Sequence, residues 1–221
     1  MTKQPFDIDR AMDLVREAIK PFPKAAMFEL ADDGYSSPFE QLIACLLSIR
    51  TRDEVSIVAA RRLFGVARTP WDLARLSEAE IDAQIGDVTF HERKAEQIKT
   101  IASIVEIEHQ GSLPCDPERV MQFPGIGPKC TNLALGIACG LDAISVDVHV
   151  DRVTNRWGYI HASTPEQTME ALMQVLPKRY WLEINALLVP FGKHICTGIR
   201  PNCSTCPLLD MCRQVGVTSH R

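Results

Sequence analysis

Four cysteines crowded near the carboxyl end of the sequence constrain the fold more than any other feature. Cys196, Cys203, Cys206 and Cys212 are separated by six, two and five residues. Four thiolates in one short segment can enclose a tetrahedral zinc ion or an iron–sulfur cube. Only one of the three gaps has the short C-x2-C form that zinc sites usually repeat. The spacing therefore favours a [4Fe–4S] cluster and leaves zinc as the alternative.

The remaining four cysteines form no such cluster, since Cys45, Cys115, Cys130 and Cys139 are scattered along the sequence. A disulfide framework needs an oxidising compartment. The polar and acidic start, MTKQPFDIDR, is not a secretory signal. No apolar run approaches the ~20 residues that a membrane span needs. The sequence therefore predicts a cytoplasmic protein whose clustered cysteines bind metal rather than form disulfides.

Helix-start signals recur through the chain and predict an all-α fold. The signals SPFE, TPWD and TPEQ begin at Ser37, Thr69 and Thr164, and a further capping box, SEAE, begins at Ser77. Apolar residues follow these signals at helical spacing, so about ten short helices joined by tight turns are expected. Many short helices of this kind are typical of an all-α architecture other than a simple bundle.

One segment, residues 144–150, departs from the helical pattern. Its apolar residues alternate with Ser145, Asp147 and His149, which is the period of a strand. A lone strand would have nothing to pair with in this chain. We therefore interpret the segment as a loop that runs into a helix, with Asp147 as the N-cap.

A glycine-rich turn, FPGIGPK, lies between two predicted helices at residues 123–129. Glycine permits the positive φ angles of a tight turn and leaves backbone N–H groups free to face one anion. The helix that follows begins at Pro128, and the amino end of a helix favours negative charge. The turn therefore predicts a phosphate-binding site. A helix–helix turn that binds no ligand is the simpler alternative.

Lys129 and Asp147 are the candidate reactive residues. Lys129 is expected one residue inside the helix after the turn, where the helix dipole and partial burial would lower its pKa. A neutral lysine can attack a carbon that bears a leaving group, or form a Schiff base. Asp147, eighteen residues further on, can activate a nucleophile or stabilise a developing cation.

Three segments together resemble the endonuclease III family of helix–hairpin–helix DNA glycosylases. They are the hairpin FPGIGPKC, the downstream segment SVDVHVDRVTNR and the cysteine-rich tail. A fourth segment, SSPFEQLIACLLSIRTRD, is similar to the first barrel helix of that family. The resemblance runs from Ser36 to Cys212, with the motifs in the family's order and spacing.

The resemblance implies two all-α domains. Residues 31–141 would form a six-helix barrel that carries the hairpin, and residues 1–30 and 142–221 would form an iron–sulfur domain. The family's catalytic lysine and aspartate fall on Lys129 and Asp147, and its [4Fe–4S] ligands fall on the four carboxyl-terminal cysteines. The implied protein is a monomer of the cytoplasm or nucleoid, and its partner is double-stranded DNA with damaged bases or abasic sites.

The implied activity is that of a bifunctional DNA glycosylase and AP lyase of base excision repair that removes oxidised pyrimidines. Asp147 would activate Lys129, and Lys129 would attack C1′ and expel the base. The resulting Schiff base would lead to strand cleavage by β-elimination. The residues expected to contact DNA at the hairpin and after Asp147 are Pro124, Gly125, Ile126, Gly127 and His149.

Two further positions, in two different loops, are expected to touch the DNA bases. Family members commonly carry a glutamine after the first barrel helix, where it fills the gap left by the flipped base, whereas this sequence has Arg50. Arginine can donate two parallel hydrogen bonds to guanine. Phe90, in a second loop, is a candidate for intercalation, with a buried core aromatic as the alternative.

The charge of the chain requires any DNA-binding face to be local. There are 24 basic and 28 acidic residues, a net charge of −4. Six basic residues would have to share one face: Arg50, Arg52, Arg93, Lys94, Lys129 and Arg152.

Three other functions are the alternatives to a bifunctional enzyme. A monofunctional or mismatch-directed glycosylase is disfavoured by Lys129 and favoured by Arg50. A DNA-binding relative of low activity would need neither Lys129 nor Asp147. A ferredoxin-like electron carrier would need no glycine hairpin, and its cysteine spacing differs.

Overall fold

The computed structural model describes residues 3–221 and contains only helices as regular secondary structure over that range. The predicted all-α fold is confirmed. There are twelve α-helices, more than the sequence suggested, and two short 3₁₀ turns. The α-helices are α1 (Ile8–Ala18), α2 (Ala26–Asp32), α3 (Pro38–Ser48), α4 (Asp53–Val66), α5 (Pro70–Arg75), α6 (Glu78–Ile85), α7 (His91–Glu108), α8 (Pro117–Val120), α9 (Pro128–Cys139), α10 (Val148–Trp157), α11 (Pro165–Val175) and α12 (Glu183–His194). The 3₁₀ turns are Lys178–Tyr180 and Cys203–Thr205.

The helix-start signals of the sequence lie where the helices begin. Ser37, Thr69 and Ser77 each accept a hydrogen bond from the third backbone N–H of their helix, and the carboxylate at that third position accepts one from the backbone N–H of the capping residue. Thr164 also accepts from Gln167 at the start of α11. Each such cap stabilises its helix by about 1 kcal/mol. Local sequence therefore determines these helix starts.

Residues 144–147 form the predicted loop, and α10 begins at Val148. The Asp147 side chain accepts hydrogen bonds from the backbone N–H groups of His149 and Val150, both at 2.9 Å. The interpretation of Asp147 as an N-cap is confirmed.

The chain divides into two compact units. One unit is the continuous stretch Ala26–Leu141, which contains α2 to α9. The other combines residues up to Ala25 with Asp142–Arg221, and contains α1 and α10 to α12. Helix α2 packs against α3, α4 and α9, so it belongs to the continuous unit.

Helix α3 lies at the centre of the continuous unit. Nine of its 11 residues are buried, from Phe39 to Leu47. It packs most closely on α9, and α7 packs on α5 and α6. Each buried leucine or isoleucine contributes about 1.5 to 3 kcal/mol to folding. This core fixes the position of α9, the helix that carries Lys129.

The other unit has a core of its own, formed by α1, α10, α11 and α12. Trp157 of α10 and Phe191 of α12 are its two largest fully buried side chains. Further core members include Met12, Val15, Val150, Val153, Leu172, Ile184 and Leu188. Over residues 3–221, no helix combines the length and apolarity that crossing a membrane requires.

Two of the scattered cysteines, Cys115 and Cys139, form a disulfide. The sequence analysis did not predict this bond, since its expectation concerned only the four clustered cysteines. Cys115 lies just before α8 and Cys139 is the last residue of α9. The fold brings these two ends together, although 24 residues separate them in sequence. The bond closes the helix–hairpin–helix segment into a covalent loop.

Candidate active site and cysteine cluster

The glycine-rich turn joins α8 to α9, as the sequence predicts. Gly125 has a φ of +78°, a left-handed conformation that favours glycine, and a Cβ there would displace the end of the Gln97 side chain. A Cβ at Gly127 would meet open space. Ile126 is buried, whereas Pro124 is half-buried and Gly125 is exposed. The turn is therefore anchored by Ile126 and presents its glycine backbone to the outside.

Lys129 is the second residue of α9 and is half-buried. Its Nζ atom lies 3.6 Å from the Sγ atom of Cys45, which comes from the middle of α3. Cys45 Sγ in turn lies 2.9 Å from Cys130 Sγ. The sequence analysis missed this thiol pair, because nothing in the local sequence indicates that α3 packs against α9.

The two thiols differ in acidity. A hydrogen bond from Cys130, opposed by burial and assisted by the charge of Lys129, lowers the pKa of Cys45 to about 6. The same contact with Cys45, together with burial, raises the pKa of Cys130. At neutral pH Cys130 therefore keeps its proton and donates a hydrogen bond to the Cys45 thiolate. That thiolate faces the Lys129 ammonium group.

Asp147 and His149 stand at the amino end of α10, and both are half-buried. The Nδ1 atom of His149 lies 3.1 Å from an Arg152 guanidinium nitrogen, and that nitrogen donates to the Gly192 carbonyl at 2.9 Å. Lys129 belongs to the continuous unit and Asp147 to the other.

Arg50 and Phe90 occupy the tips of two neighbouring loops of the continuous unit. Both have left-handed backbone conformations, with φ angles of 54° and 59°. Such conformations are uncommon for residues other than glycine and are found at functional sites. The Arg50 guanidinium lies 6.0 Å from the centre of the Phe90 ring, and 57% of Phe90 is exposed. Phe90 is therefore a surface residue, which excludes the alternative of a core aromatic.

Lys94 ties these two loops together from inside. Its Nζ atom donates to the carbonyls of Leu47 at 2.9 Å and Ile49 at 2.7 Å, and to the Thr51 hydroxyl at 3.3 Å. The same hydroxyl accepts from the backbone N–H of Thr89. Only 3% of Lys94 is exposed, and burial lowers its pKa to about 8. The prediction that Lys94 contributes to a basic surface is therefore wrong.

The four carboxyl-terminal cysteines line one pocket of the other unit. The pocket encloses about 310 Å³ of space between atoms, including its open mouth, and Trp157 and Phe191 form part of its wall. Nowhere in residues 3–221 do three or more His, Cys, Asp or Glu side chains converge as a single metal ion requires. The four thiols therefore surround a space rather than meet at a point.

Burial and one arginine set the chemistry of this pocket. Burial raises the pKa values of Cys196 and Cys212, and raises that of Cys206 to about 12. Arg156 donates to Cys196 Sγ at 3.6 Å and to the Thr197 carbonyl at 2.6 Å. Buried thiols of this kind ionise when a metal replaces their protons. The sequence analysis missed Arg156 as a neighbour of the cysteines.

Comparison with known proteins identifies the family. Residues 43–178 match the model of the HhH-GPD superfamily base excision DNA repair proteins. Endonuclease III of Thermotoga maritima is 36% identical over 200 residues, which cover 90% of this chain and 91% of the relative.

Solved structures agree with this assignment. The structure of a trapped endonuclease III–DNA covalent intermediate matches with a TM-score of 0.75 and 32% identity, over 80% of this chain and 84% of that chain. A non-covalent endonuclease III–DNA complex matches with a TM-score of 0.76 and 29% identity, over 92% and 95% of the two chains. The chain therefore belongs to the HhH-GPD superfamily of base excision DNA repair proteins.

Proposed function

We propose that this protein excises oxidised pyrimidines from double-stranded DNA with Lys129 as the nucleophile, and then cleaves the strand. Its family and its endonuclease III relatives make it a base excision repair enzyme with DNA glycosylase and AP lyase activity. One observation carries the assignment to Lys129. Its half-buried amine follows the glycine turn directly and lies 3.6 Å from the buried sulfur atom of Cys45.

The reaction begins when the Lys129 ammonium group loses a proton and the neutral amine attacks C1′ of the damaged nucleotide. The new N–C1′ bond forms as the glycosidic bond breaks, and the electron pair of the glycosidic bond leaves with the base, which takes up a proton. Asp147 stabilises the positive charge that develops on the sugar. A nucleophilic lysine of this kind divides one difficult displacement into two easier steps.

Strand cleavage follows from the same covalent intermediate. The sugar ring then opens: the C1′–O4′ bond breaks as the nitrogen lone pair forms a C1′=N double bond, and the proton that the nitrogen gives up passes to O4′, which leaves a Schiff base between Lys129 and C1′. The Schiff base makes the C2′ proton acidic, and its removal lets the electron pair form a C2′–C3′ double bond. The 3′ phosphate leaves with the electrons of its C3′–O bond. Water then releases Lys129 as a free amine.

The glycine turn and the Arg50–Phe90 pair position the DNA. The backbone N–H groups between Pro124 and Gly127 bind one phosphate of the damaged strand, because glycine leaves them uncovered. Arg50 and Phe90 enter the base stack as the damaged nucleotide leaves it, which lowers the cost of extruding that nucleotide. His149, at the start of α10, contacts the backbone.

The four carboxyl-terminal cysteines are proposed as ligands of a [4Fe–4S] cluster. All four thiols line one pocket, and their spacing contains only one of the short C-x2-C pairs that zinc sites usually repeat, which favours a cube over a zinc ion. The Arg156 contact offsets negative charge on Cys196. When bound, the cluster would hold the loop from Cys196 to Cys212 in shape. Residues 1–30 and 142–221 would then be the iron–sulfur domain, and residues 31–141 the barrel.

A mismatch-directed glycosylase is the second candidate, because of Arg50. Its guanidinium is exposed at a loop tip beside Phe90, where it can donate two hydrogen bonds to an orphaned guanine. This arrangement favours lesions opposite guanine over lesions opposite adenine.

Borohydride trapping tests the proposal. The protein is mixed with duplexes that carry thymine glycol, an abasic site or a G·T mismatch, and the Schiff base is reduced to a stable adduct. We expect an adduct and a cut strand with thymine glycol and with the abasic site. Lys129→Ala should lose both products, whereas Lys20→Ala, which alters an exposed lysine in α1's C-terminal flank, should retain them.

Two outcomes contradict the proposal. An adduct that forms as well with Lys129→Ala would remove Lys129 from the chemistry. Excision of thymine from the mismatch without any adduct would make the protein a monofunctional mismatch glycosylase instead. Thermal unfolding of both variants ensures that a lost adduct reports lost chemistry rather than lost fold.

A further inference from the structure

A buried thiol pair lies directly beneath the proposed nucleophile. Cys45 of α3 is fully buried and Cys130 of α9 is 2% exposed. Their sulfur atoms are 2.9 Å apart, and Lys129 Nζ is 3.6 Å from Cys45 Sγ. The mechanism above gives no role to either thiol. The sulfur atom of Cys45 is therefore close enough to Lys129 to exchange a proton with it.

The groups that face Cys45 decide its charge. Cys130 and Lys129 approach it from α9, and Ser48 approaches from its own helix, α3. Lys94 of α7 acts on Cys130. Cys130 donates a hydrogen bond, Lys129 is cationic, and the pKa of Cys45 falls to about 6 as a result. Above that pH the pair consists of a thiolate and an ammonium group.

We propose that Cys45 is a positioning residue that holds Lys129 as an ion pair and accepts its proton when Lys129 attacks the sugar. In this transfer an N–H bond of Lys129 breaks and an S–H bond forms on Cys45. The nitrogen keeps the electron pair that then bonds to C1′. Both partners become neutral, which a buried site favours over a separated pair of charges. This role rests on the proposed function, since it requires Lys129 to be the nucleophile.

The transfer is feasible because a thiolate holds a proton more strongly than a carboxylate does. Even with its pKa lowered to about 6, Cys45 is a better acceptor for the Lys129 proton than a carboxylate, whose ordinary pKa is about 4. Cys45 also lies in the same unit as Lys129, on α3, which packs against the α9 helix that carries Lys129.

The pair has a distinct signature in the pH dependence of the reaction. Below about pH 6 both groups are protonated, so no acceptor exists for the Lys129 proton. Above that pH Cys45 and Lys129 together hold one proton less. The proton that they share lies either on nitrogen or on sulfur, and the fraction of Lys129 present as neutral amine then no longer changes with pH. The rate of adduct formation should therefore rise up to about pH 6 and stay level above it. Without the thiol, the rate should keep rising until Lys129 itself loses its proton.

The test is the single-turnover rate of borohydride trapping on abasic DNA, measured from acidic to alkaline pH. The wild-type acid limb is expected to have its midpoint near pH 6. Cys45→Ser should move this midpoint upward by at least about one pH unit. Cys45→Ala serves the same purpose if the serine variant does not fold. Ala44→Ser, which adds a hydroxyl to the neighbouring core position of α3, should leave the midpoint in place.

A merely structural role would change the rate and leave the midpoint where it is, and that result would overturn the proposal. A titration without DNA separates this failure from failure of the proposed function. The ultraviolet absorbance of the Cys45 thiolate is obtained by subtracting the absorbance of Cys45→Ser from that of the wild type. Its titration midpoint should lie near pH 6 and should move to higher pH in Lys129→Gln. If the wild type forms no adduct, the proposed function fails. If it forms one and the midpoints coincide, only the role of Cys45 fails.

Discussion

Lys94 has a structural role at the scale of single residues. Its ammonium group is buried and satisfies the carbonyls of Leu47 and Ile49, which end α3 and begin the Arg50 loop. A lysine in a basic segment such as HERKAEQIK is ordinarily assigned to the surface. Its hydrogen bonds reach the residues on both sides of Arg50, Ile49 and Thr51, and Arg50 between them has a left-handed conformation.

Lys94→Met should destabilise the protein by about 2 to 4 kcal/mol. The substitution keeps the aliphatic stem and leaves two buried carbonyls without their donor. Urea unfolding measures the change. Arg93→Met, at the exposed position before it, should stay within about 0.5 kcal/mol of the wild type. Equal stability of Lys94→Met and wild type would show that water replaces the ammonium group in this loop.

The reactive residues differ in how far the sequence predicts them. The glycine turn, Lys129 and the Asp147 cap are local patterns, so the sequence indicates them without knowledge of packing. Cys45 and Arg156 act on residues 84 and 40 positions away. No periodicity or spacing predicts such pairs, because they depend on which helix faces pack together.

At the scale of secondary-structure elements, the Cys115–Cys139 bond ties the start of α8 to the end of α9. The loop that it closes contains the glycine turn and Lys129. A crosslink of this kind stabilises a protein mainly because it restricts the unfolded chain. The bond therefore holds α8 and α9 together in addition to their packing.

Cys139→Ser should lower the free energy of unfolding by about 3 kcal/mol, as expected for a closed loop of this length. Urea titrations with and without a thiol reductant check this value. Reduced wild type and the variant should then have the same stability, and reductant should not affect the variant further. A wild type indifferent to reductant would mean that the two sulfur atoms are not bonded.

Helices α3, α5, α6 and α11, which start at capping signals, were predicted from the sequence, whereas α2 was not. Helix α2 has seven residues and no capping side chain, so the sequence pattern did not separate it from its surroundings. Its packing on α3 and α4 supplies the stability that its own sequence lacks. The start of α7 is similar, since Phe90 precedes it in a left-handed conformation rather than as a capping residue.

At the scale of the whole molecule, each unit has its own core and its own chemistry. Lys129, the glycine turn and the Arg50–Phe90 pair belong to Ala26–Leu141, and the four clustered cysteines to the other unit. The sequence predicts the all-α class for both from local helix signals. The division at Ala26 follows from the packing of α2, which the sequence does not indicate.

Loss of a cysteine ligand should therefore loosen one unit and spare the other. In Cys206→Ser, we expect loss of iron and faster amide hydrogen exchange in α10 and α12, whose side chains line the cysteine pocket. Metal binding contributes folding free energy only to the segment that it organises. Helices α3 and α7 are the internal control. Equal acceleration in both units, or none in either, contradicts this expectation.

The discontinuous unit has a consequence for biosynthesis. During translation, Ala26–Leu141 emerges from the ribosome as an uninterrupted stretch that contains its whole core, so it is able to fold while the rest is still being made. Helix α1, made earlier, must wait for α10 and α12, with which it shares a core. Cys212 lies 71 residues beyond Leu141, so at ~5 to 20 residues per second the last thiol follows several seconds later. The proposed cluster can therefore form only after the whole of Ala26–Leu141 has been synthesised.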